Sequence, residues 1–532
     1  MERYSPTIGL EIHAELKTRT KMFCANLNDP DESHPNINIC PVCTGHPGTL
    51  PSINAEAIRK LILVGLALNC EIALFSKFDR KNYFYPDLPK GYQISQYDKP
   101  LCSDGWLEIK VGSPTEIRRI RIERVHMEED TAKSFHADGD ASTLVDFNRA
   151  GIPLMELVTR PDLTSGPEIE AFAKELRLIL RYLDVSDADM EKGQMRVEVN
   201  VSVRRADSQS LIADSSHKDA GNEPSAMGHK LLGTKVEVKN INSINAAARS
   251  ADYEIRRQKE LLDSGGTVVQ ETRGWDDAGQ RTYSQRVKEG SADYRYFPEP
   301  DLPPLVHTAE QIKLIGSKMP ELPAQRRIRF RERYRLTDSQ IEVFTTARHL
   351  GDYFEQAVSE IDAWDKLSHL IKPDHSHMKR IPILAANYII TEFPQLAGRG
   401  LDGGGTGDRL DSFDDYLEGF SIKPVNFADL IVRIFHDELS SSAAKTVLRD
   451  MAQTGESPDA IIKRRDLKQV SDIGELETVV AGVLASNAKA IEDYKKGKQE
   501  SLKFLIGRVM AQTKGKANPV LTEEIIKNKL TK

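Results

Sequence analysis

Apolar and polar residues alternate strictly between residues 6 and 17. Because successive side chains of a β-strand point to opposite faces, this pattern predicts a strand with one apolar and one charged face. Two carboxylates and an imidazole in one row can hold a hard divalent cation, but an ordinary half-buried strand with a solvated face shows the same alternation. Both interpretations stay open at this point. The apolar positions are Ile8, Leu10, Ile12, Ala14 and Leu16, and the polar positions are Glu11, His13, Glu15 and Lys17.

The same alternation recurs at residues 119–123, 197–204 and 235–239. Several strands with one apolar and one charged face are typical of an antiparallel sheet that has one face on a core. Apolar residues at three- and four-residue spacing predict helices that back this sheet, which gives an α+β domain. These helices are predicted at residues 55–68, 167–183 and 244–264.

The pattern changes to helix after the proline cluster at residues 297–305, and a glycine-rich break follows at residues 398–407. Proline and glycine clusters of this kind mark boundaries. The sequence therefore predicts three domains: an α+β domain at 1–303, an all-helical domain at 304–421 and a small helical tail domain at 422–532. Within the first, residues 206–232 form a polar stretch without periodicity, which predicts a mobile loop.

The bulk composition is that of a globular protein, with 532 residues, 39% hydrophobic and 29% charged. No run of about 18 apolar residues occurs, so no membrane span is expected. The chain starts without an apolar or arginine-rich leader, which predicts a cytoplasmic protein rather than an organellar one. Five cysteines are too few for a disulfide scaffold in a chain of this length.

The net charge of -7 argues against a protein that coats nucleic acid along its whole surface. The last 44 residues differ, because ten lysines and one arginine stand there against four glutamates and one aspartate, a balance of +6. Such a tail suits contact with a polyanion, and an ordinary solvated helical surface is the alternative.

Acidic residues at two further places are candidates for chemistry. Residues 126–130 read His-Met-Glu-Glu-Asp, and three adjacent carboxylates repel one another unless a cation or full solvation relieves them. Glu156 lies within an apolar run, so its carboxylate needs a partner, either a metal ion or an arginine.

A loop at residues 79–96 is rich in aromatic, lysine and arginine residues and has no helical or strand period. It could hold phosphate or a base through charge and stacking, or it could be a packed tyrosine-rich loop. No phosphate-binding loop of the G-x-x-x-x-G-K-[ST] form occurs in the chain.

Cys24, Cys40 and Cys43 could bind zinc if His34, His46 or Asn26 supplied a fourth ligand. Free thiols and a redox pair are the alternatives. Cys70 is predicted to be a core residue inside an apolar helix.

Taken together, motifs spread over nearly the whole chain resemble the B subunits of the aspartyl/glutamyl-tRNA(Asn/Gln) amidotransferase. The motifs lie at residues 8–13, 21–23, 79–87, 126–130, 146–149, 151–158, 239–243, 271–273, 293–301 and 515–519. The resemblance implies a cradle domain akin to the glutamine synthetase core, a helical domain and a tail domain that binds tRNA. The archaeal E subunit resembles the chain less well, because its large insertion in the helical region is missing here.

The resemblance also implies a reaction and its participants. The chain would be a ligase that forms carbon–nitrogen bonds with glutamine as amido-nitrogen donor. ATP with Mg²⁺ would phosphorylate the side-chain carboxylate of glutamate or aspartate mischarged onto tRNA(Gln) or tRNA(Asn), and ammonia would then displace phosphate. A glutaminase A subunit would supply the ammonia, and a small C subunit would complete a heterotrimer that contacts neither membrane nor DNA.

Specific residues follow from the resemblance. Glu11, His13, Glu129 and Glu156 match the family's metal-binding positions, Glu128 adjoins them, and these five are the predicted magnesium ligands. Glu11, His13, Glu129, Glu156 and Lys81 are the predicted catalytic residues. Arg80, Lys81 and Tyr83 are the predicted nucleotide-binding residues.

Two features depart from the family pattern. Asn26 stands where zinc-bearing members have a second cysteine, so zinc at Cys24, Cys40 and Cys43 would need a substitute ligand such as His34 or His46. The loop at 206–232 is longer than usual. The alternative function is a catalytically silent tRNA-binding or assembly subunit, and a third interpretation is an autonomous ligase for a small metabolite. The choice between the two mischarged tRNAs stays open.

Overall fold

The computed structural model describes residues 3–112, 115–136, 142–205, 232–287, 294–368, 380–396, 421–467, 473–513 and 516–531. The chain forms two compact units, Met1–Leu322 and Pro323–Lys532, and each is described by itself. The first contains strands and helices, and the described residues of the second are helical or in connections. The predicted α+β class is confirmed. The glutamine synthetase-like cradle and the division into domains 1–303, 304–421 and 422–532 stay predictions.

Strands dominate the first unit. They are β1 (Tyr4–Glu15), β2 (Glu71–Ile72), β3 (Phe75–Ser76), β4 (Asp79–Asn82), β5 (Tyr92–Ser95), β6 (Cys102–Val111), β7 (Glu116–Glu129), β8 (Lys133–His136), β9 (Thr143–Asp146), β10 (Pro153–Thr159), β11 (Met195–Arg205), β12 (Val236–Lys239), β13 (Glu271–Asp276), β14 (Arg281–Val287), β15 (Phe297–Pro298) and β16 (Leu305–Val306). Its helices are α1 (Ala55–Ala67), α2 (Gly166–Tyr182), α3 (Ile244–Asp263) and α4 (Ala309–Gly316).

Nine of these strands form one sheet in the order β14-β13-β12-β11-β1-β10-β7-β6-β2. Neighbouring strands run antiparallel, as predicted, except for β12 and β13, which run parallel. The exception arises because helix α3 connects β12 to β13, and such a crossover returns the chain to the end of the sheet from which it started.

Helices α1, α2 and α3 cover the apolar face of this sheet and share one core with it. The alternation read in β1 is confirmed, since Ile8, Leu10, Ile12 and Ala14 are at most 1% exposed. The predicted helices are confirmed as well. Asn54 caps α1 by accepting from the backbone N–H groups of Glu56 and Ala57. With its apolar side covered, the sheet keeps its charged side for other contacts.

A smaller sheet, in the order β15-β4-β5, carries part of the loop at residues 79–96. Strand β4 places Arg80 and Lys81 on successive positions, so their side chains leave the strand on opposite sides. Strands β16 and β3 pair with each other, as do β8 and β9.

The second unit is built from helices around two apolar clusters, one running from Phe330 to Ile462 and one from Leu476 to Ile526. Thr337 and Gln340 form a capping box at the start of its second helix. The helices are α5 (Pro323–Tyr334), α6 (Asp338–Thr346), α7 (Arg348–Ser368), α8 (Ile381–Leu396), α9 (Pro424–Phe435), α10 (Ser441–Thr454), α11 (Pro458–Arg465), α12 (Ile473–Ala485), α13 (Ala488–Lys495), α14 (Glu500–Gln512) and α15 (Pro519–Thr531).

Several other predictions can be placed. Cys70 is buried as predicted, but it does not lie in a helix, because α1 ends at Ala67 and Asn69 turns the chain with a φ of 57°. The loop at 206–232, apart from its last residue, and the glycine-rich break at 398–407 lie outside the described residues. Among the described residues, no helix is both long enough and apolar enough to cross a membrane.

Candidate active site

The charged face of the sheet brings together residues from three neighbouring strands. His13 of β1 lies opposite Glu156 of β10, and Glu156 lies opposite His126 of β7. Residues directly opposite each other in an antiparallel pair share a face, so these three side chains form one row. Glu128 follows His126 by two residues and therefore lies on the same face.

The donor atoms of His13, Glu128 and Glu156 all lie within 4.8 Å of one another. His13 Nε2 is 3.4 Å from Glu156 Oε2 and 4.0 Å from Glu128 Oε2. His126 Nε2 lies beside the same two carboxylates, at 3.4 Å from Glu128 Oε1 and 3.7 Å from Glu156 Oε2. Both glutamates are at most 5% exposed, so two carboxylates and two imidazoles share a largely buried space. We call His13, Glu128 and Glu156 the first acidic group.

A second acidic group consists of Glu11, His13 and Glu198, whose donor atoms also lie within 4.8 Å of one another. Glu11 and Glu198 are opposite each other on β1 and β11. Lys239 of β12 places its Nζ 2.8 Å from Glu198 Oε2. Because His13 belongs to both groups, the two form one continuous acidic surface.

The charges in these groups are strongly coupled. Burial raises the pKa of Glu11 to about 7, and repulsion from Glu156 and Glu198 adds to this effect. Burial opposes ionisation of Glu156 too, but the charges of His126 and His13 outweigh it and lower the pKa of Glu156 to about 2. The pKa of Glu128 is held well below its usual value, because Lys81 and His126 outweigh the effect of burial.

Ionised carboxylates beside an imidazole are hard donors that suit a divalent cation such as Mg²⁺ or Mn²⁺. Lys81, His126 and His13 already supply positive charge beside the buried carboxyl groups of Glu128 and Glu156, and a divalent cation would supply it at the same place. The donor set of the two acidic groups therefore fits such a cation. Of the predicted magnesium ligands, the structure brings together Glu11, His13, Glu128 and Glu156.

Glu129 lies apart from the two acidic groups. Its carboxylate accepts hydrogen bonds from Lys90 Nζ at 2.5 Å and from the backbone N–H of Ile94 at 2.9 Å. Successive residues of β7 point to opposite faces, which separates Glu129 from Glu128. Glu129 and Lys90 line a cavity of about 240 Å³ that Cys24 and Cys43 also line.

The predicted nucleotide-binding residues also divide between the charged face of the sheet and the neighbouring cavity. Lys81 Nζ lies 3.5 Å from Glu128 Oε1, so this ammonium belongs to the charged face. Arg80 instead donates to Glu299 through Nε at 2.6 Å and Nη2 at 2.8 Å. The Tyr83 hydroxyl lies 3.2 Å from Gln93 Oε1, and Gln93 in turn donates to Glu128 at 3.0 Å. Lys81 and Tyr83 thus adjoin the first acidic group, whereas Arg80 lines the neighbouring cavity.

Tyrosine rings surround Lys81. Its Nζ lies 5.5 Å from the ring centroid of Tyr294, which meets Tyr83 and Tyr296 edge to face. Tyr296 stacks on Tyr97 with a centroid distance of 4.1 Å. These rings offer apolar surface next to charged side chains, a combination that accepts a nucleotide base or sugar.

The three predicted zinc ligands come together. The Sγ atoms of Cys24, Cys40 and Cys43 lie within 4.8 Å of one another, and Cys40 and Cys43 are 3.8 Å apart. A hydrogen bond from Cys24 lowers the pKa of Cys43 to about 5, although burial acts in the opposite direction. The positive charge of the buried Lys21 ammonium also lowers this pKa. Asn26 Nδ2 donates a hydrogen bond to Cys43 Sγ at 3.7 Å, so the side chain at position 26 lies next to the sulfur atoms.

Neither predicted substitute ligand joins the three cysteines. His34 binds Glu32 through Nδ1 at 2.9 Å and is exposed, and His46 lines the cavity without joining the sulfur atoms. Three thiols fit zinc, and among the described residues the amide of Asn26 occupies the neighbouring position.

A family model described as the GatB/GatE catalytic domain matches residues 6–313, and one described as the GatB domain matches residues 408–530. The B subunit of the aspartyl/glutamyl-tRNA(Asn/Gln) amidotransferase from Carboxydothermus hydrogenoformans is 42% identical over 535 residues, covering 100% of both chains. The chain belongs to this family of B subunits. Proteins of the same name from Caldanaerobacter subterraneus and Dehalococcoides mccartyi are each 42% identical, over 530 and 533 residues, and cover 99–100% of both chains.

The family resemblance seen in the sequence is thus confirmed. The match to the catalytic domain of B subunits includes both acidic groups, Lys81 and the three cysteines. The second match includes the basic tail.

Three residues of the acidic face of this B subunit were missed in the sequence: His126, Glu198 and Lys239. Each lies in a segment whose sequence predicts a charged strand or matches a family motif. Alternation could therefore place each of them on the polar face of a strand. Their proximity to Glu11 and His13 depends on which strands are neighbours and in which register, and that information is long-range.

Proposed function

We propose that this chain carries out the ATP-dependent amidation of Glu-tRNA(Gln), Asp-tRNA(Asn) or both, as the B subunit of a heterotrimer with a glutaminase A subunit and a small C subunit. The observation that carries the proposal is the pair of acidic groups that share His13 on the charged face of the sheet. The family name supports the complex and its tRNA substrates. The enzyme class proposed is a ligase that forms carbon–nitrogen bonds with glutamine as amido-nitrogen donor.

The chemistry requires activation of a poor electrophile. A carboxylate does not react with ammonia, because oxide would have to leave. Transfer of the γ-phosphoryl group of ATP to the side-chain carboxylate turns that oxygen into part of phosphate, a good leaving group. Ammonia then attacks the carbonyl carbon, the carbon–oxygen bond to phosphate breaks, and the amide and inorganic phosphate are released.

Two anions must approach each other in the first step, and the acidic groups suit this requirement. Either His13, Glu128 and Glu156 or Glu11, His13 and Glu198 would hold a divalent cation, because the neutral His13 imidazole has one free lone pair and serves one cation at a time. A bound Mg²⁺ neutralises phosphate charge and orients the transferring group. Lys81 supplies a further positive charge at the edge of the first group, and Tyr83 and its neighbouring rings offer surface to the nucleotide.

Two predicted residues take more specific places in this proposal. Arg80 is held by the buried Glu299, so it shapes the wall beside the nucleotide rather than acting as a free cation. Glu129 remains one of the proposed catalytic residues. Its ion pair with Lys90 lies on the side of β7 that faces the cavity. Zinc at Cys24, Cys40 and Cys43 also stays a proposal.

The helical tail is proposed to bind tRNA. Its described cations lie on the surface, where they reach phosphate groups and make binding strongly dependent on salt. Bacterial relatives support the bacterial cytoplasm as the proposed location. The exposed cations include Lys489, Lys495, Lys496, Lys498, Lys503 and Arg508.

ATP hydrolysis by the chain co-expressed with its A and C partners tests the proposal, measured with and without each mischarged tRNA. We expect Mg²⁺-dependent hydrolysis that Glu-tRNA(Gln) or Asp-tRNA(Asn) stimulates. A complex that binds tRNA but shows no stimulated hydrolysis with either substrate would support the catalytically silent scaffold instead.

A further inference from the structure

Each acidic group has one lysine at its edge. Lys81 Nζ lies 3.5 Å from Glu128 Oε1 in the first group, and Lys239 Nζ lies 2.8 Å from Glu198 Oε2 in the second. The two lysines come from β4 and β12, which belong to different sheets. A role for Lys239 is therefore suggested by its own contacts and by its equivalence to Lys81.

Lys239 is placed for contact with a ligand above the sheet. It is the last residue of β12 and lies opposite Gly274 of β13. The Tyr283 ring fills the space over Gly274, since a Cβ atom at that position would come within 2.5 Å of the ring. The Lys239 side chain is 39% exposed although it contacts Glu198, so solvent and a ligand can reach it.

The ion pair between Lys239 and Glu198 uses a carboxylate that a cation would also use. An ammonium and a divalent cation compete for the same carboxylate, because each is attracted by the same negative charge. When a divalent cation binds Glu11, His13 and Glu198, the Lys239 ammonium loses its contact with Glu198, keeps the longer contact of 3.8 Å with Glu237 Oε1 and remains tethered beside the site. A lysine is a compact point charge on a flexible stem and commonly binds phosphate in this position.

We propose that Lys239 is a phosphate-binding residue of this site, which exchanges the Glu198 carboxylate for a phosphate oxygen of the nucleotide when the second acidic group holds a divalent cation. This inference rests on the proposed function, since it takes the ligand to be a nucleoside triphosphate.

The exchange predicts effects of opposite sign when the ammonium is removed. Lys239→Met leaves Glu11 and Glu198 without this competing charge, so the affinity for a divalent cation should increase by about fivefold. The same change removes a charge-assisted hydrogen bond to phosphate, so nucleotide affinity should fall by about tenfold or more. A merely structural role would weaken both.

The test uses the full-length chain without turnover. Binding of Mn²⁺ is measured by electron paramagnetic resonance, and binding of a non-hydrolysable ATP analogue with saturating Mg²⁺ is measured by calorimetry. Lys239→Arg keeps the charge and should retain nucleotide affinity within about threefold. Lys235→Met is the matched control, because Lys235 is an exposed lysine directly before the same strand, and it should change neither affinity.

Three results would overturn the proposal. The first is a loss of Mn²⁺ affinity in both Lys239→Met and Lys239→Gln, which would make the lysine a structural counterion. The second is unchanged nucleotide affinity in these variants, and the third is a wild-type chain that binds no nucleotide. Failure of the proposed function looks different: the complex would not hydrolyse ATP with either mischarged tRNA, while the two binding measurements would still decide the role of Lys239.

Discussion

The Nε2 atom of His13 lies 3.4 Å from the Oε2 atom of Glu156, across two strands that are distant in sequence. This contact exists because His13 and Glu156 are register partners of β1 and β10. A slip of one residue would turn every side chain of β1 to the other face and place His13 in the apolar core. The core thus fixes the register, and the register assembles the acidic site.

Glu156→Gln should abolish ATP hydrolysis by the complex while leaving tRNA affinity nearly unchanged. The substitution keeps the size of the side chain but removes the buried charge that faces His13 and His126. ATP hydrolysis with mischarged tRNA and a filter-binding assay for tRNA would measure the two effects. Glu116→Gln, at the exposed start of β7, is the control and should have wild-type activity. Loss of tRNA binding by Glu156→Gln would contradict the assignment to the chemical step.

His126 should position the two carboxylates of the first acidic group. Its Nε2 faces Glu128 and Glu156, whereas its buried Nδ1 has no hydrogen-bond partner among the described residues, so the ring contacts the acidic group through Nε2. We expect His126→Leu to raise the Mg²⁺ concentration for half-maximal ATP hydrolysis by about 10-fold to 100-fold.

His126→Gln distinguishes positioning from packing, because its amide nitrogen can replace the Nε2 donor. It should restore most of the Mg²⁺ dependence that His126→Leu loses. The imidazole would act through packing alone if both variants lost the same share of ATP hydrolysis and the remaining activity kept the wild-type dependence on Mg²⁺.

Local sequence pattern was sufficient for part of this site and insufficient for the rest. Alternation put Glu11 and His13 on one face because that property depends only on adjacent residues. Glu198 could not be paired with Glu11, since the choice of neighbouring strand depends on contacts between distant segments. Glu128 and Glu129 were grouped as consecutive acids, although the same alternation rule turns them to opposite faces, where Lys90 holds Glu129.

The pair formed by Arg80 and Glu299 should matter for stability. Glu299 has a fully buried side chain and accepts two hydrogen bonds from Arg80, which also lies 4.3 Å from the ring centroid of Tyr92. Arg80→Leu would leave a buried carboxylate without its counterion, and we expect the free energy of unfolding to fall by about 3 kcal/mol.

Urea denaturation would measure this loss. Arg80→Leu combined with Glu299→Leu should recover part of it, because the double variant buries no unpaired charge. Arg281→Leu is the control, since Arg281 pairs with Asp276 on the surface and should contribute little. Unchanged stability in Arg80→Leu would mean that the arginine is available to the nucleotide after all.

Asn26→Cys should strengthen zinc binding. Its side chain already lies 3.7 Å from Cys43 Sγ, and a fourth thiolate would complete a four-sulfur set with Cys24 and Cys40. Competition with a chromophoric chelator would measure the zinc affinity of the full-length chain. Cys70→Ser is the control, because Cys70 is buried away from this cluster and should leave zinc affinity unchanged. Equal zinc affinity in wild type and Asn26→Cys would exclude Asn26 from the metal position.

Glu355, in the second unit, makes the stability of the protein depend on pH. Glu355 accepts hydrogen bonds from Arg329 Nη2 and from the Tyr334 hydroxyl, each at 2.8 Å, and these contacts lower the pKa of Glu355 against the opposing effect of burial. A carboxyl whose pKa is lower in the folded state binds fewer protons there than when unfolded. Its contribution to stability is therefore complete above the unfolded pKa and is lost as the pH falls through the folded value.

We expect Glu355→Gln to lower the free energy of unfolding by about 2 kcal/mol at neutral pH, with a smaller difference from wild type as the pH falls below about 4.5. Urea denaturation of both proteins at a series of pH values would measure the difference. Glu332→Gln, an exposed glutamate on α5, should show little difference from wild type at any pH. A constant deficit of Glu355→Gln across the series would contradict the prediction, because a loss caused by packing does not depend on protonation of this carboxyl.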